Sequence, residues 1–216
     1  MVFLLIKRFF ASNKYFWKYR HLLQKNSFQS NYGKVPKEHF NKIFYNLEKK
    51  TILDFGCATG DKLLYFIQNN AKNLCGIDIN KRAIRTAEKK FQNYDINYYL
   101  SSNVNKKKID LFLKKSKSKM FDIIILDRVL YILKKEEFNN NINYFSKITK
   151  YMYLDDFFLK NNNNEIFFRK NIKGYTHSNF DKILDQLSFK LVFKGISPYK
   201  SVKFSNPMSA LYKLKK

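Results

Sequence analysis

The fold is decided by one stretch of sequence, Asp54-Phe-Gly-Cys-Ala-Thr-Gly60. It follows a short apolar run typical of a buried strand and precedes a helical pattern that begins at Asp61. Two glycines and an alanine within five positions let the backbone turn sharply and let a ligand lie directly on it. The free amide groups of the following helix point to the same place. A strand, a glycine-rich turn and a helix in this order predict a nucleotide-type site.

Strand and helix patterns alternate on the carboxyl side of this turn. Apolar runs predict strands, and apolar residues three and four positions apart predict helices. The predicted strands are 51–56, 74–79, 96–100, 121–126, 151–158, 191–196 and 208–214, and the predicted helices are 61–70, 81–91, 136–148 and 178–187. No helix is assigned to 101–120, where the lysine-rich run 114–119 indicates a solvated loop. The alternation favours βαβ units and a doubly wound α/β sheet, whose ligands bind at the carboxyl ends of the strands.

The charges at the turn exclude two common nucleotide sites. The spacing is G-x-A-x-G rather than the dinucleotide pattern G-x-G-x-x-G, and a pyrophosphate would meet the carboxylates of Asp54 and Asp61. The lysine and hydroxyl residue of a phosphate-binding loop are absent, because Gly60 is followed by Asp61 and Lys62. A phosphate-free adenosine ligand with an ammonium and a sulfonium suits these charges, and S-adenosylmethionine is such a ligand.

Four segments in register resemble class I S-adenosylmethionine-dependent methyltransferases of the small-molecule type. The first is the D-x-G-x-A-x-G turn, and the others are Gly76-Ile-Asp78-Ile79, Tyr99-Leu-Ser-Ser-Asn103 and the fourth strand with the residues after it, 121–130. The resemblance covers residues 45–160 closely. It implies a Rossmann-like, doubly wound sheet of seven strands, mostly parallel with the last strand antiparallel, and helices on both faces.

The resemblance implies S-adenosyl-L-methionine as the cofactor and assigns residues to it. In this family Asp54 would receive the ligand's ammonium, Asp78 would hold both ribose hydroxyls, and Ile79 would pack on the adenine. The family usually places an acidic residue at the adenine edge; Ser102 and Asn103 stand there, and either can accept a hydrogen bond from the exocyclic amine. The expected cofactor-binding residues are Asp54, Gly56, Ala58, Gly60, Asp78, Ile79, Ser102, Asn103 and Asp127.

The sequence says less about the residues that would contact the methyl acceptor. Methyl transfer is an in-line displacement, so positioning contributes most, and a base is needed only if the acceptor loses a proton. The candidate catalytic residues are Asp155, Asp156 and His177. Adjacent residues on a strand face opposite ways, so only one of the two aspartates can enter the crevice. His177 falls in a predicted loop before a helix, where a lone histidine is more often an exposed bystander. The three histidines do not cluster in sequence, so no catalytic metal is expected.

The chain divides into a predicted N-terminal helical cap or lid, residues 1–50, and a cofactor-binding methyltransferase domain, residues 51–216. Helices are predicted at 16–23 and 38–47. Aromatic residues alternate with cations in 7–20, which suits a lid first, an anionic membrane surface second and RNA third. The 42 Lys and Arg against 17 Asp and Glu, a net charge of +25, point to an anionic partner, but a bias of composition towards Asn, Ile, Phe and Tyr explains them equally well.

These features predict methyl transfer to an oxygen or nitrogen of a small or carrier-linked metabolite. An oxygen acceptor, such as one on a sugar or glycan precursor, is favoured because no N-P-P-Y-type motif follows the fourth strand. The alternatives are an RNA methyltransferase that uses the basic surface and a cofactor-binding protein without catalysis. Two cysteines and an N-terminal apolar run of six residues predict a cytoplasmic protein, with peripheral contact at the inner membrane surface through the N-terminal helix.

Overall fold

The structure, a computed structural model of the 216-residue chain, describes residues 16–18, 37–101, 104–159, 169–172, 175–199 and 207–215. Residues 16–18 are helical. The helices that follow are α1 (Lys37–Ile43), α2 (Asp61–Gln68), α3 (Lys81–Lys90), α4 (Lys106–Lys115), α5 (Lys135–Lys147) and α6 (Phe180–Gln186). The strands are β1 (Thr51–Phe55), β2 (Asn73–Asp78), β3 (Ile96–Leu100), β4 (Phe121–Asp127), β5 (Thr149–Asp156), β6 (Arg169–Ile172), β7 (Tyr175–Ser178), β8 (Phe189–Ile196) and β9 (Met208–Leu214). A 3₁₀ turn spans Leu130–Ile132.

Seven strands form one sheet in the order β3-β2-β1-β4-β5-β9-β8. The pairs from β3 to β5 are parallel, and β9 runs antiparallel to both β5 and β8. The strand order reverses between β1 and β4, where a doubly wound sheet opens a crevice at its carboxyl edge. The predicted fold, with its reversed last strand, is confirmed.

Each face of the sheet is covered by helices. Apolar side chains alternate between the faces of the strands, so the sheet supports one buried cluster on each side. On one side α1, α2 and α3 contribute Phe40, Ile43, Leu63, Tyr65, Phe66 and Ile84. On the other side α4, α5 and α6 contribute Ile109, Phe112, Leu113, Phe138, Ile142, Phe145, Phe180, Ile183 and Leu184.

Two elements differ from the sequence-based expectation. Helix α4 occupies a segment to which no helix was assigned; its apolar residues Ile109, Phe112 and Leu113 have helical spacing, and the Asn105 side chain accepts a hydrogen bond from the Lys108 amide at its start. Strands β6 and β7 form a separate antiparallel hairpin where a loop was expected. The strands of that hairpin are short and polar, so neither hydrophobic periodicity nor segment length could predict them.

Helix α1 is part of the core. Phe40 is fully buried, and its ring lies 5.5 Å from that of Tyr153 and 6.0 Å from that of Phe66, measured between centroids. The predicted helix at 16–23 lies outside the described residues except for 16–18, so the lid remains a prediction. No helix in the described part of the chain has the length and apolarity needed to cross a membrane.

Candidate active site

The glycine-rich turn joins β1 to α2 through a left-handed backbone. Gly56, Ala58 and Gly60 have φ angles of 83°, 49° and 77°, a region that favours glycine. The amides of Gly56 and Cys57 both donate to the carbonyl of Ile77, at 2.8 and 3.0 Å. These bonds hold the turn against the carboxyl end of β2.

The glycines are also required by the protein's own packing. A Cβ atom at Gly60 would lie 2.7 Å from the Tyr98 hydroxyl, and one at Gly56 would lie 3.0 Å from Val129. The sequence indicated only that glycine would let a ligand approach. The structure adds that both positions are closed to a side chain on the protein side, so a substitution there would distort the turn before it met any ligand.

Four aspartates form a row along the carboxyl edge of the sheet: Asp78, Asp54, Asp127 and Asp155, at the ends of β2, β1, β4 and β5. In register, Asp54 pairs with Gly76 and Ile125, and Asp127 pairs with Asp155. Residues two apart on a strand share a face, so all four carboxyl groups lie on the same face of the sheet. The row joins three predicted cofactor residues with one predicted acceptor-side residue.

Asp78 ties the turn to the start of α3. Its Oδ2 accepts the amide of Ala58 at 2.9 Å, and its Oδ1 accepts the amide of Asn80 at 2.7 Å. Burial raises the pKa of this carboxyl, although the two amide bonds oppose the rise. A carboxylate oxygen can accept more than one hydrogen bond, so both oxygens keep acceptor capacity for a pair of neighbouring hydroxyls.

Asp54 is fully buried, and neither of its carboxylate oxygens has a hydrogen-bond partner among the described residues. Burial raises its pKa to about 7, against the opposing charge of Lys62. The Lys62 ammonium lies 3.8 Å from Asp54 Oδ2 and 3.3 Å from Asp127 Oδ2. Burial alone would lower the pKa of Lys62, but the two aspartates outweigh it and raise the pKa. Sequence reasoning missed Lys62, since nothing distinguishes it from the chain's other lysines.

The acceptor end of the row is covered by the segment that follows β8. The Tyr199 hydroxyl donates to Asp127 Oδ2 at 2.9 Å, and the Ser197 hydroxyl donates to Asp155 Oδ1 at 2.8 Å. The Arg128 guanidinium lies 4.1 Å from the centre of the Tyr199 ring, and its Nε lies 3.6 Å from Asp155 Oδ1. Sequence reasoning missed Ser197 and Tyr199, because they reach Asp155 and Asp127 from far along the chain. It also missed Arg128, which directly follows Asp127.

Asp155 is the buried carboxyl of this end. Its Oδ2 has no hydrogen-bond partner in the described part of the protein, while Oδ1 is held by Ser197. Burial first and the nearby charge of Asp127 second raise its pKa well above the ordinary value, with Arg128 opposing. A carboxylate with one fixed and one available oxygen is suited to accept a proton.

Asp156 and His177 do not join the row. Asp156 follows Asp155 and so faces the opposite side of the sheet, where it accepts the amides of Leu130, Tyr131 and Phe157 and fixes the 3₁₀ turn. His177 is buried in β7 rather than exposed in a loop, so that expectation was wrong. Its Nδ1 lies 3.0 Å from the Tyr175 carbonyl oxygen, and its ring lies 5.3 Å from that of Phe157.

The adenosine side is described in part. Ile79 follows Asp78 and is half-buried, whereas Ser102 and Asn103 lie outside the described residues. The Asn80 side chain donates to the carbonyls of Trp17 and Lys18, at 2.8 and 3.2 Å, so residues 16–18 lie beside this end of the row. In the described ranges, no three or more His, Cys, Asp and Glu side chains are grouped to hold a metal ion.

The family is shown by a sequence comparison. A family model described as a methyltransferase domain matches residues 46–190, more than half of the chain. The protein therefore belongs to this methyltransferase family, as predicted from the four segments. A comparison with curated proteins gives no significant match.

Solved structures with the same fold include two methyltransferases. Magnesium protoporphyrin IX methyltransferase from Synechocystis PCC 6803, solved with bound S-adenosylmethionine, has a TM-score of 0.65 at 16% identity over 94% of this chain and 95% of that one. An S-adenosylmethionine-dependent methyltransferase from Clostridium acetobutylicum ATCC 824 has a TM-score of 0.57 at 16% identity over 93% and 99%. SpnF, described as a cyclase, has a TM-score of 0.59 at 10% identity over 86% and 85%. At these identities the likeness shows the fold alone.

The residues of the row fit the predicted cofactor, S-adenosylmethionine. The unsatisfied oxygens of Asp54 suit an ammonium, because a buried carboxylate needs donors that this part of the protein does not provide. Asp78, held beside the turn by two amides, suits the ribose hydroxyls. The negative row disfavours a phosphate-bearing nucleotide at the same place.

Proposed function

We propose that the protein transfers a methyl group from S-adenosylmethionine to a hydroxyl oxygen, or a nitrogen, of a small or carrier-linked metabolite such as a sugar or glycan precursor. The observation that carries this proposal is Asp155, a buried carboxyl with one available oxygen at the end of a row whose other end suits the cofactor. An acceptor that must lose a proton needs a base in this place.

At the cofactor end, the chain's own residues hold the ligand and exclude water. Asp54 would receive the ammonium, Asp78 would receive the ribose hydroxyls, and the turn would support the adenosine. When bound, S-adenosylmethionine supplies a methyl carbon activated by the positive sulfur. The protein's contribution is then to orient the acceptor in line with that carbon.

At the acceptor end, Asp155 would take the proton of the attacking group at its Oδ2 atom. Ser197 holds the other oxygen, so the carboxyl group is fixed in orientation. Tyr199 and Arg128 pack over the same place and would separate the acceptor from bulk water. Desolvation raises the pKa of Asp155, which makes its carboxylate a stronger base than an exposed aspartate.

The same charges argue against RNA as the acceptor. Asp127 and Asp155 lie at the place where the acceptor would bind, and their carboxylates repel a phosphodiester backbone. The net charge of +25 does not decide the question, because a bias of composition explains it as well as an anionic partner does. A polar, uncharged hydroxyl compound satisfies the hydrogen-bonding groups of the site without that repulsion.

The test is a transfer assay with methyl-labelled S-adenosylmethionine and a panel of sugars, sugar nucleotides, other hydroxyl compounds, amines and structured RNA. Binding of the cofactor is established first by calorimetry. We expect label in a hydroxyl compound and none in RNA. Cofactor binding with transfer only to RNA would contradict the proposed acceptor, and cofactor binding without transfer to any compound of the panel would favour the non-catalytic alternative. Absence of cofactor binding would contradict the proposal as a whole.

A further inference from the structure

The ammonium of Lys62 lies inside the site although the residue belongs to the first turn of a surface helix. Its side chain is only 15% exposed, and its Nζ atom contacts the carboxylates of Asp54 and Asp127. A lysine on a helix surface ordinarily keeps its charge in water, since burial of the charge costs free energy. The fold therefore places a cation in a site whose proposed ligand is itself cationic.

Lys62 balances the charge of Asp54 without satisfying its hydrogen bonds. The separation of 3.8 Å from Asp54 Oδ2 exceeds hydrogen-bond distance, and both Asp54 oxygens remain without a partner among the described residues. The ammonium lies closer to Asp127, at 3.3 Å. Asp127 thus holds Lys62, and Asp54 stays available to another donor.

A ligand that brought only an ammonium to Asp54 would be repelled by Lys62. The methionyl group of S-adenosylmethionine carries a carboxylate beside its ammonium. With that carboxylate near Lys62, the charges alternate from Asp127 to Lys62, to the ligand carboxylate, to the ligand ammonium and to Asp54. The amides in the first turn of α2 favour an anion at this end of the helix, and the charge of Asp61 in that turn is balanced by its ion pair with Lys90.

We infer that Lys62 binds the carboxylate of the methionyl group and makes the site selective for adenosine ligands that carry a complete amino acid. This inference rests on the proposed cofactor and adds a residue that determines specificity within its site. Asp54 and Lys62 together then recognise a zwitterion, and neither residue suffices alone.

The test compares three ligands on wild-type protein and on Lys62→Met by calorimetry. The ligands are S-adenosylhomocysteine, its decarboxylated analogue, which keeps the ammonium, and 5′-methylthioadenosine, which has neither charge. The measurements are made at pH 8.5, above the pKa of about 7 that Asp54 has beside Lys62. Loss of Lys62 raises this pKa further, and the decarboxylated analogue, which needs the same ionised Asp54, shows whether protonation of Asp54 weakens binding to Lys62→Met. We expect Lys62→Met to weaken S-adenosylhomocysteine by about 10- to 100-fold, as for a lost charge-assisted hydrogen bond. The decarboxylated analogue, whose ammonium Lys62 repels, should not bind more weakly, and 5′-methylthioadenosine should bind unchanged.

Two further variants complete the experiment. Lys62→Arg keeps the charge and should retain most of the affinity. Lys90→Met is the matched control, because Lys90 pairs with Asp61 and is 45% exposed, so its loss should change none of the three affinities. Unfolding curves for each variant show that the protein remains folded.

Three results would overturn the inference. Unchanged or tighter binding of S-adenosylhomocysteine to Lys62→Met would show that Lys62 does not bind the carboxylate. Equal weakening of S-adenosylhomocysteine and its decarboxylated analogue would show that Lys62 serves only to keep Asp54 ionised. Failure of the wild-type protein to bind any of the three ligands would instead remove the proposed cofactor, and the inference with it.

Discussion

Asp54 shows how a single residue in the site opposes stability. A buried carboxylate without hydrogen-bond donors is costly in the absence of ligand, and the pKa of about 7 expresses that cost. The folded protein binds the proton more tightly than the unfolded chain, whose aspartate titrates near 3.8. Stability contributed by the protonated group is therefore present at low pH and is lost as the pH rises from about 4 to about 7.

Asp54→Asn should stabilise the protein without cofactor and abolish cofactor binding. The amide is neutral at every pH, so the free energy of unfolding should exceed that of the wild type by up to about 4 kcal/mol at pH 8 and by about 2 kcal/mol at pH 5. Denaturant unfolding at the two pH values measures the difference. A variant less stable than the wild type at pH 8 would contradict this account of Asp54.

The neighbouring aspartates on β5 should separate catalysis from structure. Asp155→Asn removes the proposed proton acceptor and should lower kcat by about 10²- to 10⁴-fold, with S-adenosylhomocysteine affinity unchanged. Because the raised pKa of Asp155 leaves the base protonated at low pH, the wild-type rate should increase with pH, and this dependence should vanish in the variant.

Asp156→Asn is the matched control for that experiment. It weakens the acceptor of two backbone amides of the 3₁₀ turn and of the Phe157 amide, so it should lower the free energy of unfolding more than it lowers kcat. Equal kcat for Asp155→Asn and the wild type would remove Asp155 from the reaction.

The sequence predicts single residues of the site best where they end a buried strand. Asp54, Asp78, Asp127 and Asp155 all follow apolar runs, and parallel strands bring their carboxyl ends to one edge. The place of Lys62 in the site could not be predicted, because its burial depends on the direction that its side chain takes from α2. Ser197 and Tyr199 could not be predicted either, since their contacts join strand ends about 40 to 70 residues apart in the chain.

At the scale of elements, Arg169 links the hairpin β6–β7 to the 3₁₀ turn, in addition to the backbone hydrogen bonds that Ser178 makes with Phe157 and Leu159. The guanidinium of Arg169 donates to the carbonyls of Leu130 and Leu133, each at 2.8 Å, and lies 4.3 Å from the centre of the Phe138 ring. Burial lowers the pKa of Arg169 to about 10, so it remains charged at neutral pH. The residue thus joins the hairpin to the 3₁₀ turn through the turn's carbonyls, while the nearby Asp156 accepts amides of the same turn.

Arg169→Met should therefore loosen the hairpin. Loss of two charge-assisted hydrogen bonds to buried carbonyls is expected to reduce the free energy of unfolding by about 3 kcal/mol, measured by denaturant titration. Lys170→Met, at the exposed neighbour, is the control and should have an effect within about 0.5 kcal/mol. Equal effects for the two variants would show that Arg169 does not hold the hairpin to the turn.

The elements that sequence patterns predict are those with long apolar faces. The strands of the main sheet and α2, α3 and α5 were predicted because their apolar residues repeat with a clear period. Helix α4 was missed because lysines fill its first and last turns, which resembles a solvated loop. The hairpin was missed because it is held by tertiary contacts, those of Arg169 and those of β7 with residues 157–159, which its own sequence pattern does not show.

For the molecule as a whole, residues 16–18 contact the site beside Asp78. Trp17 is the only tryptophan of the chain, and its carbonyl accepts a hydrogen bond from the Asn80 side chain, two residues after Asp78. The Asn80 Oδ1 atom also caps α3 by accepting the amides of Arg82 and Ala83. One side chain thus connects the start of α3 with a segment that was predicted to be a lid.

Asn80→Asp separates these two functions. Aspartate keeps an oxygen for the helix cap but has no amide to donate to the two carbonyls. Because Asn80 is buried, the free energy of unfolding should fall by about 1–3 kcal/mol, and the emission of Trp17 should shift towards that of a solvent-exposed indole. The emission spectrum of Trp17 is measured for the wild type and the variant, with and without S-adenosylhomocysteine. Identical spectra in all four samples would argue against a lid at this place.

The position of α1 has a practical consequence for any attempt to trim the protein. The methyltransferase-domain match begins at residue 46, which suggests a natural point to shorten the chain. Phe40 and Ile43 lie before that point and fill the cluster between the sheet and α2. A fragment that started at residue 46 would lose these side chains, expose apolar surface to water and be prone to precipitate, so expression work has to keep α1.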